Sequence, residues 1–430
     1  MHGVKKHRVM KRRPTGAIIA FFLLMAPFVM LTAKNRILAD DVKSLQSFVG
    51  NRWTEMAVMN HNSSEKLHVG FDLLTHEYHR IVCHIDHCDP DWNVTEGLFD
   101  SDFLEGFNDV IIDNYETSVN TTVPYTHYTF SFPAEGQRLK LSGNYLLSLY
   151  DEDRDMTIAE VQIRVVEQKM NLGLSVTTNT DIDHNISHQQ IEMSLGYGQA
   201  KVTNPREQLC IKVMQNFRET DTRNNPKATY TTQTGLRWEH CRDLIFNGGN
   251  EFHKFEILDV SHTTLGLSSI SWSEDEQCYH AYPYPVTPIR NYLLDKDADG
   301  AFYIRNSDNV ENDITSDYVI VHYKLANTSE HHGKDVIVDG QWTTEAPEKY
   351  LMNYNAEDKS YNAAILQKQG YYNYQIVVVD PETGKSETAP EEGAFYQTEN
   401  QYQALVYFRE NGGRAWQLVA YRNIFSQKPL

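Results

Sequence analysis

The sequence predicts an all-β fold: tandem antiparallel β-sandwich domains, immunoglobulin-like or E-set-like, following a cleaved export signal. Three observations predict it. Apolar and polar residues alternate at period two, as in Leu67, Val69, Phe71 and Leu73, in Tyr128, Phe130 and Phe132, and in Ala159, Val161, Ile163 and Val165. Such alternation buries one face of an antiparallel strand. The runs are rich in Tyr, Phe, Val and Ile and are separated at short intervals by Asp, Asn, Gly and Pro clusters, a pattern of sandwiches rather than helix-crossed parallel sheets. Beyond the N-terminal segment no helical stripe of comparable strength occurs.

The N-terminus carries Lys5, Lys6, Arg8, Lys11, Arg12 and Arg13, then an uncharged apolar run from Ala17 to Ala33 that ends Leu31-Thr32-Ala33. Basic, apolar and small-residue segments in that order predict a signal peptide over residues 1–33, cleaved after Ala33. A retained anchor is the alternative, but the run is short for a bilayer and Pro27 interrupts it. No cysteine precedes Cys83, so no lipid acceptor lies near the cleavage site. The expected product is a soluble, exported chain with no direct membrane insertion.

A net charge of −19 leaves no basic face for nucleic acid or for anionic membrane surfaces. The five cysteines, Cys83, Cys88, Cys210, Cys241 and Cys278, are odd in number and form no disulfide framework. Length suggests more than one core. The expected units are an N-terminal sandwich over 38–166, a middle β-rich unit over 170–305 and a C-terminal sandwich over 315–430. The first boundary is set by the polar stretch Thr177 to Gln190, which follows the last alternating strand of the first unit.

Several motifs invite a chemical reading. Cys83-His84-Ile85-Asp86-His87-Cys88 offers zinc-like ligands. In a strand, however, Cys83 and His87 lie on one side and His84 on the other, so a strand entering the turn Asp89-Pro90-Asp91 is preferred. His76 and His79 are three apart, not the four a metalloprotease helix needs, and read as surface residues. Asp295, Asp297 and Asp299 before Gly300 resemble the opening of a calcium loop, but Asn306 stands where the bidentate carboxylate belongs. An Asp-Gly turn explains the same residues. Asp151-Glu152-Asp153 reads as a solvated turn. No G-x-S-x-G elbow, phosphate-binding glycine loop or C-x-x-C pair occurs, and neither an enzymatic site nor a cofactor is expected. In Gly370 to Ile376, alternation places Tyr372, Tyr374 and Ile376 on one face. Tyr371, Asn373 and Gln375 lie on the other, which is left for a sugar or a protein partner.

At these residues the chain resembles the plug protein family of the Bacteroidota type IX secretion system. The likeness rests on His87-Cys88-Asp89-Pro90-Asp91-Trp92, Gly106-Phe107-Asn108, Tyr125-Thr126-His127-Tyr128, Phe132-Pro133 and Ser142-Gly143-Asn144-Tyr145-Leu146-Leu147. It continues through Asn204-Pro205-Arg206, Gly248-Gly249-Asn250-Glu251-Phe252, Gln369 to Gln375 and Thr398-Glu399-Asn400. The resemblance implies a non-enzymatic periplasmic protein, peripheral to the outer membrane, that closes the periplasmic mouth of the SprA/Sov-type translocon barrel while it is empty. Trp92, Phe103 and Phe107, in or near expected loops, are assigned to a recognition edge, with folding anchors as their alternative. The last unit also resembles the glycogen-binding type of carbohydrate module, in Asp339-Gly340-Gln341-Trp342 and Gly370 to Gln375. Where those modules carry a second tryptophan, this chain reads Val379-Asp380-Pro381-Glu382, so Trp342 is expected to be structural. A secreted glycan-binding protein is the alternative reading.

Overall fold

The computed structural model describes residues 34–426. The expected signal peptide, 1–33, lies outside them. The described chain is all-β: mostly antiparallel sheets, with a few parallel pairs, packed in layers, and helices no longer than one turn. Among the described residues no helix is long and apolar enough to cross a membrane.

The first sandwich follows from its alternation. Strands Val42–Val49, Leu67–Leu73, Thr126–Phe132 and Asn114–Thr117 form one sheet. Leu67, Val69, Phe71 and Leu73 turn inward while His68 stays in solvent. The opposing layer holds Ile81–Cys88, Gly143–Asp151 and Met156–Val166, paired antiparallel with one register shift between Leu149 and Tyr150. Phe71, Tyr128, Phe132, Tyr145, Ile158 and Ile163 fill the space between the layers. Burial of this many side chains, each contributing about 1.5–3 kcal/mol, is what selects the inward face.

Strand pairing then crosses the boundaries drawn from sequence. The C-terminal hairpin Gln401–Phe408 and Gln417–Phe425 does not complete the last sandwich. It pairs with Leu209–Gln215 and extends the sheet of the first sandwich at Val166. Against it packs the sheet of Asn171–Thr177, His188–Gly196 and Gly235–Trp238, with Trp238, Phe246 and Tyr402 in the core. Conversely, His253–Glu256 and Phe302–Ile304 pair with Gly370–Val379, and Cys278–Pro283 pairs with Tyr318–Ala326. The third sandwich therefore draws strands from both 170–305 and 315–430. Period-two patterning marks which face is buried, but not which distant strand is the neighbour.

Side chains tie the layers together. Asp72, on the outer face of the first sandwich, accepts hydrogen bonds at 2.6 Å from Tyr318 Oη and Lys368 Nζ of the third. Tyr125 Oη donates to Ser316 O at 2.7 Å, and Gln46 Nε2 to Phe302 O at 3.0 Å. Arg164 of the first sandwich forms a buried ion pair with Glu219. Gln401 Nε2 donates to Asp299 Oδ2 at 2.6 Å.

Candidate interaction surface

The segment between Ile81–Cys88 and Gly143–Asp151 carries all three residues assigned to a recognition edge, and the structure separates them. Phe103 is 4% exposed and packs beside His87 and Tyr145. It is a core residue. Trp92 is 9% exposed, adopts φ +66° and lies under the Arg164 guanidinium, 4.8 Å from its ring centre. Its neighbour Asp91 pairs with Lys212 at 2.8 Å, and Asp89 Oδ1 accepts the amides of Asp91 and Asn93. His87 to Trp92 thus docks the first sandwich onto the strand Leu209–Gln215. Phe107 is different: it is 88% exposed.

The loop holding Phe107 is fixed on both sides of it. Asn108 clamps the strand edge, with Oδ1 accepting Ile85 N at 2.9 Å and Nδ2 donating to Ile85 O at 3.0 Å. Gln137 Nε2 donates to Phe107 O at 2.7 Å. Gly106, at φ +105°, passes so close to Gly136 O that a Cβ would sit 2.6 Å from it. A second aromatic of the same segment, Phe99, is 74% exposed and was not singled out by sequence. It immediately precedes the short helix Asp100–Phe103, whose Asp102 carboxylate accepts the Phe99 amide. Phe99 and Phe103 look alike in sequence. Only the helical turn between them turns one outward and the other inward.

The metal-like clusters resolve into local networks. In the strand Ile81–Cys88, Cys83, Ile85 and His87 face the core, while His84 faces out. His87 Nδ1 is 2.9 Å from Thr95 Oγ1, and burial pushes the imidazole down to about 4, so it is neutral. All five cysteines are free. Burial pushes Cys83 and Cys88 up to about 12.

His79 and Asp151 correct the sequence reading that placed them on the surface. Asp151 is fully buried, with His79 Nδ1 at 2.8 Å and Arg154 Nε at 3.2 Å from its Oδ2. With Asp153 they form a group of possible metal ligands. The oxygens are already engaged, however: Asp151 Oδ1 accepts the amides of Asp153 and Arg154, and Asp153 Oδ2 accepts Arg80 N. The Arg154 guanidinium holds the place of a cation.

Asp295, Asp297 and Asp299 do not converge. Asp295 turns out to Lys254, Asp297 accepts the amides of Phe252 and Asp299, and Asp299 Oδ2 accepts Gln401. The turn they form has Asp299 and Gly300 at positive φ.

The aromatic strand Gly370–Val379 is covered on both faces. Tyr372 and Tyr374 lie in the third core, and the side chains of Asn373 and Gln375 are buried as well. Asn373 Oδ1 accepts Ala298 N, while Gln375 bridges Asn250 O and Arg218. The face expected to be free for a partner is filled by loops from distant sequence. Trp342 is buried with its indole N–H donating to Asn373 O at 2.9 Å and its ring against Tyr323, Tyr350 and Tyr372. It offers no sugar platform.

An open cleft of about 840 Å³ runs over the outer face of the first sandwich, with Phe48, His68, His127, Tyr303 and Asp313 in its walls. Two of the titratable groups in its walls, His127 and Lys368, both bond to Asp72.

Comparison with known proteins gives a family match for the first sandwich. A family model for the type 9 secretion system plug protein first domain matches residues 42–167, the first sandwich. The chain is similar to a hypothetical protein from Parabacteroides merdae ATCC 43184 solved by crystallography at 2.30 Å. The two share 31% identity over 91% of this chain and 99% of that one, with a TM-score of 0.86. No curated protein matches the sequence.

Proposed function

The chain belongs to the type IX secretion system plug protein family, and we propose that it closes the periplasmic opening of the SprA/Sov-type translocon barrel while that barrel is vacant. The observation that carries this reading is the match of the whole first sandwich to the plug family's first domain. A plug performs no bond chemistry. It needs a body that keeps its shape when pressed into an opening, and buried polar pairs tie the stacked sandwiches to one another. Asp72 with Lys368 and Arg164 with Glu219 are such ties. We place the protein in the periplasm, held at the outer membrane by the barrel itself, and assign it no enzymatic role.

The test is capture. Tagged mature chain is incubated with detergent extract of outer membranes from cells whose translocon is idle. A very large barrel protein should co-purify, and adding the chain to that barrel in a planar bilayer should close its conductance. A barrel that neither co-purifies nor closes would overturn the proposal.

A further inference from the structure

We infer that the edge running from Phe107 to Phe99 is the surface by which this chain engages its barrel. The partner it fits presents two apolar pockets with lysine or arginine side chains between them. The inference rests on the plug reading and assigns that reading a site.

The first observation is charge. No lysine or arginine occurs between Arg80 and Arg138, while the same stretch carries eleven carboxylates. Some are neutralised by cations reaching in from outside: Glu105 by Arg138, Asp102 by Arg414 and Asp91 by Lys212. Three are not. Asp109 lies 2.7 Å from His84 Nδ1, and Asp86 lies 3.8 Å from His84 Nε2. Burial, with a smaller contribution from nearby Asp100, raises the Asp86 carboxyl above its ordinary value. Asp109, His84, Asp86 and Asp100 therefore form a row across the outside of the sheet, with no lysine or arginine in ion-pair contact with its three carboxylates among the described residues.

The second observation is that this row ends in aromatic rings. Asp109 is two residues from Phe107, and Asp100 follows Phe99 directly. Both rings are almost entirely in water. A large apolar side chain in that state gains free energy when covered, and the Phe107 loop is fixed by Asn108, Gln137 and the Gly106–Gly136 approach. A clamped aromatic loses little conformational entropy on binding, as expected of an anchor residue. Acidic groups between two anchors select a cationic partner and steer its approach.

The experiment uses the full mature chain in the capture assay, with three variants whose thermal midpoints are first matched to the parent. Phe99→Ser with Phe107→Ser should lower barrel capture about tenfold or more. Asp86→Lys with Asp100→Lys should lower it comparably, and raising salt should weaken the parent but not the charge variant. Tyr284→Ser, another well-exposed ring, in the third sandwich, should leave capture unchanged. Parent-level capture by the Phe or Asp variants would overturn this surface while leaving the plug reading standing. An equal loss with Tyr284→Ser would also overturn it. Failure of the parent to capture any barrel would remove both.

Discussion

Lys368 Nζ lies 2.6 Å from Asp72 Oδ2, and neither side chain reaches water. The pair joins the third sandwich to the first. Burial alone would push the Asp72 carboxyl up, but Lys368 and His127 outweigh it and hold the group below the ordinary carboxylate range. Tyr318 Oη completes the carboxylate's shell, and the Lys368 ammonium also lies 4.1 Å over the Tyr125 ring. Removing one partner strands the other charge in a dry site. Lys368→Met should therefore cost about 3–5 kcal/mol in denaturant unfolding. Adding Asp72→Asn to it should recover part of that loss. If the double variant were as unstable as the sum of both singles, the two residues would not be acting as a pair.

His87 gives a signature on the acid side. Its folded value of about 4 lies below the ordinary imidazole value near 6.5. Between those values the unfolded chain takes up a proton that the folded chain refuses, so stability is full above about pH 6.5 and falls as pH drops toward 4. The loss attributable to this group is about 3 kcal/mol. An NMR titration should find the His87 ring still neutral at pH 5, where an imidazole at the ordinary value near 6.5 has gained its proton. A His87 midpoint near 6.5 would contradict its burial beside Tyr145 and Phe103.

The strands were legible in the sequence because their apolar residues alternate, and Leu67, Val69, Phe71 and Leu73 are inward as that alternation requires. The partners of those strands were not. Gln401–Phe408 joins Leu209–Gln215 across nearly two hundred residues, and nothing local in either strand encodes that choice. Buried polar groups were misread for the same reason. Asp151 sits in an acidic turn, and its side-chain partner His79 is seventy-two positions away. Asn373 and Gln375 alternate as solvent-facing residues do, yet distant loops cover them. Of the three candidates for a recognition edge, Phe107 alone is exposed. The signal that marks its neighbourhood is the lack of any lysine or arginine from Ile81 to Gln137, a feature of composition rather than of any motif.

The cysteines should be chemically silent in the folded chain. Burial pushes Cys83 and Cys88 up to about 12 and Cys210 up to about 11, so almost no thiolate exists at neutral pH. An aromatic disulfide reagent at pH 7.5 should leave the native protein essentially unlabelled over minutes and release five equivalents after denaturation. Rapid native labelling of any thiol would place that cysteine in an open site.

Asp299 gives a pH dependence of opposite sign to that of His87. Burial, together with Glu251 and Glu399, raises it to about 7, and burial with Asp299 and Glu251 raises Asp297 to about 8. Both values exceed the ordinary aspartate value near 3.9. From about pH 4 upward the unfolded chain has already released these protons while the folded chain retains them. Their contribution to stability is therefore greatest at low pH and is lost as pH rises through 7 and 8. Asp299→Asn keeps an oxygen for Gln401 Nε2 and removes the ionisation. The variant should melt at a higher temperature than the parent at pH 8.5, by several degrees, and within about a degree of it at pH 5. His87 is common to both chains and cancels, whereas Asp297, raised in part by Asp299, responds together with it. A variant that lost stability equally at both pH values would mean that the Asp299 carboxylate is ionised in the folded chain and held there by a cation.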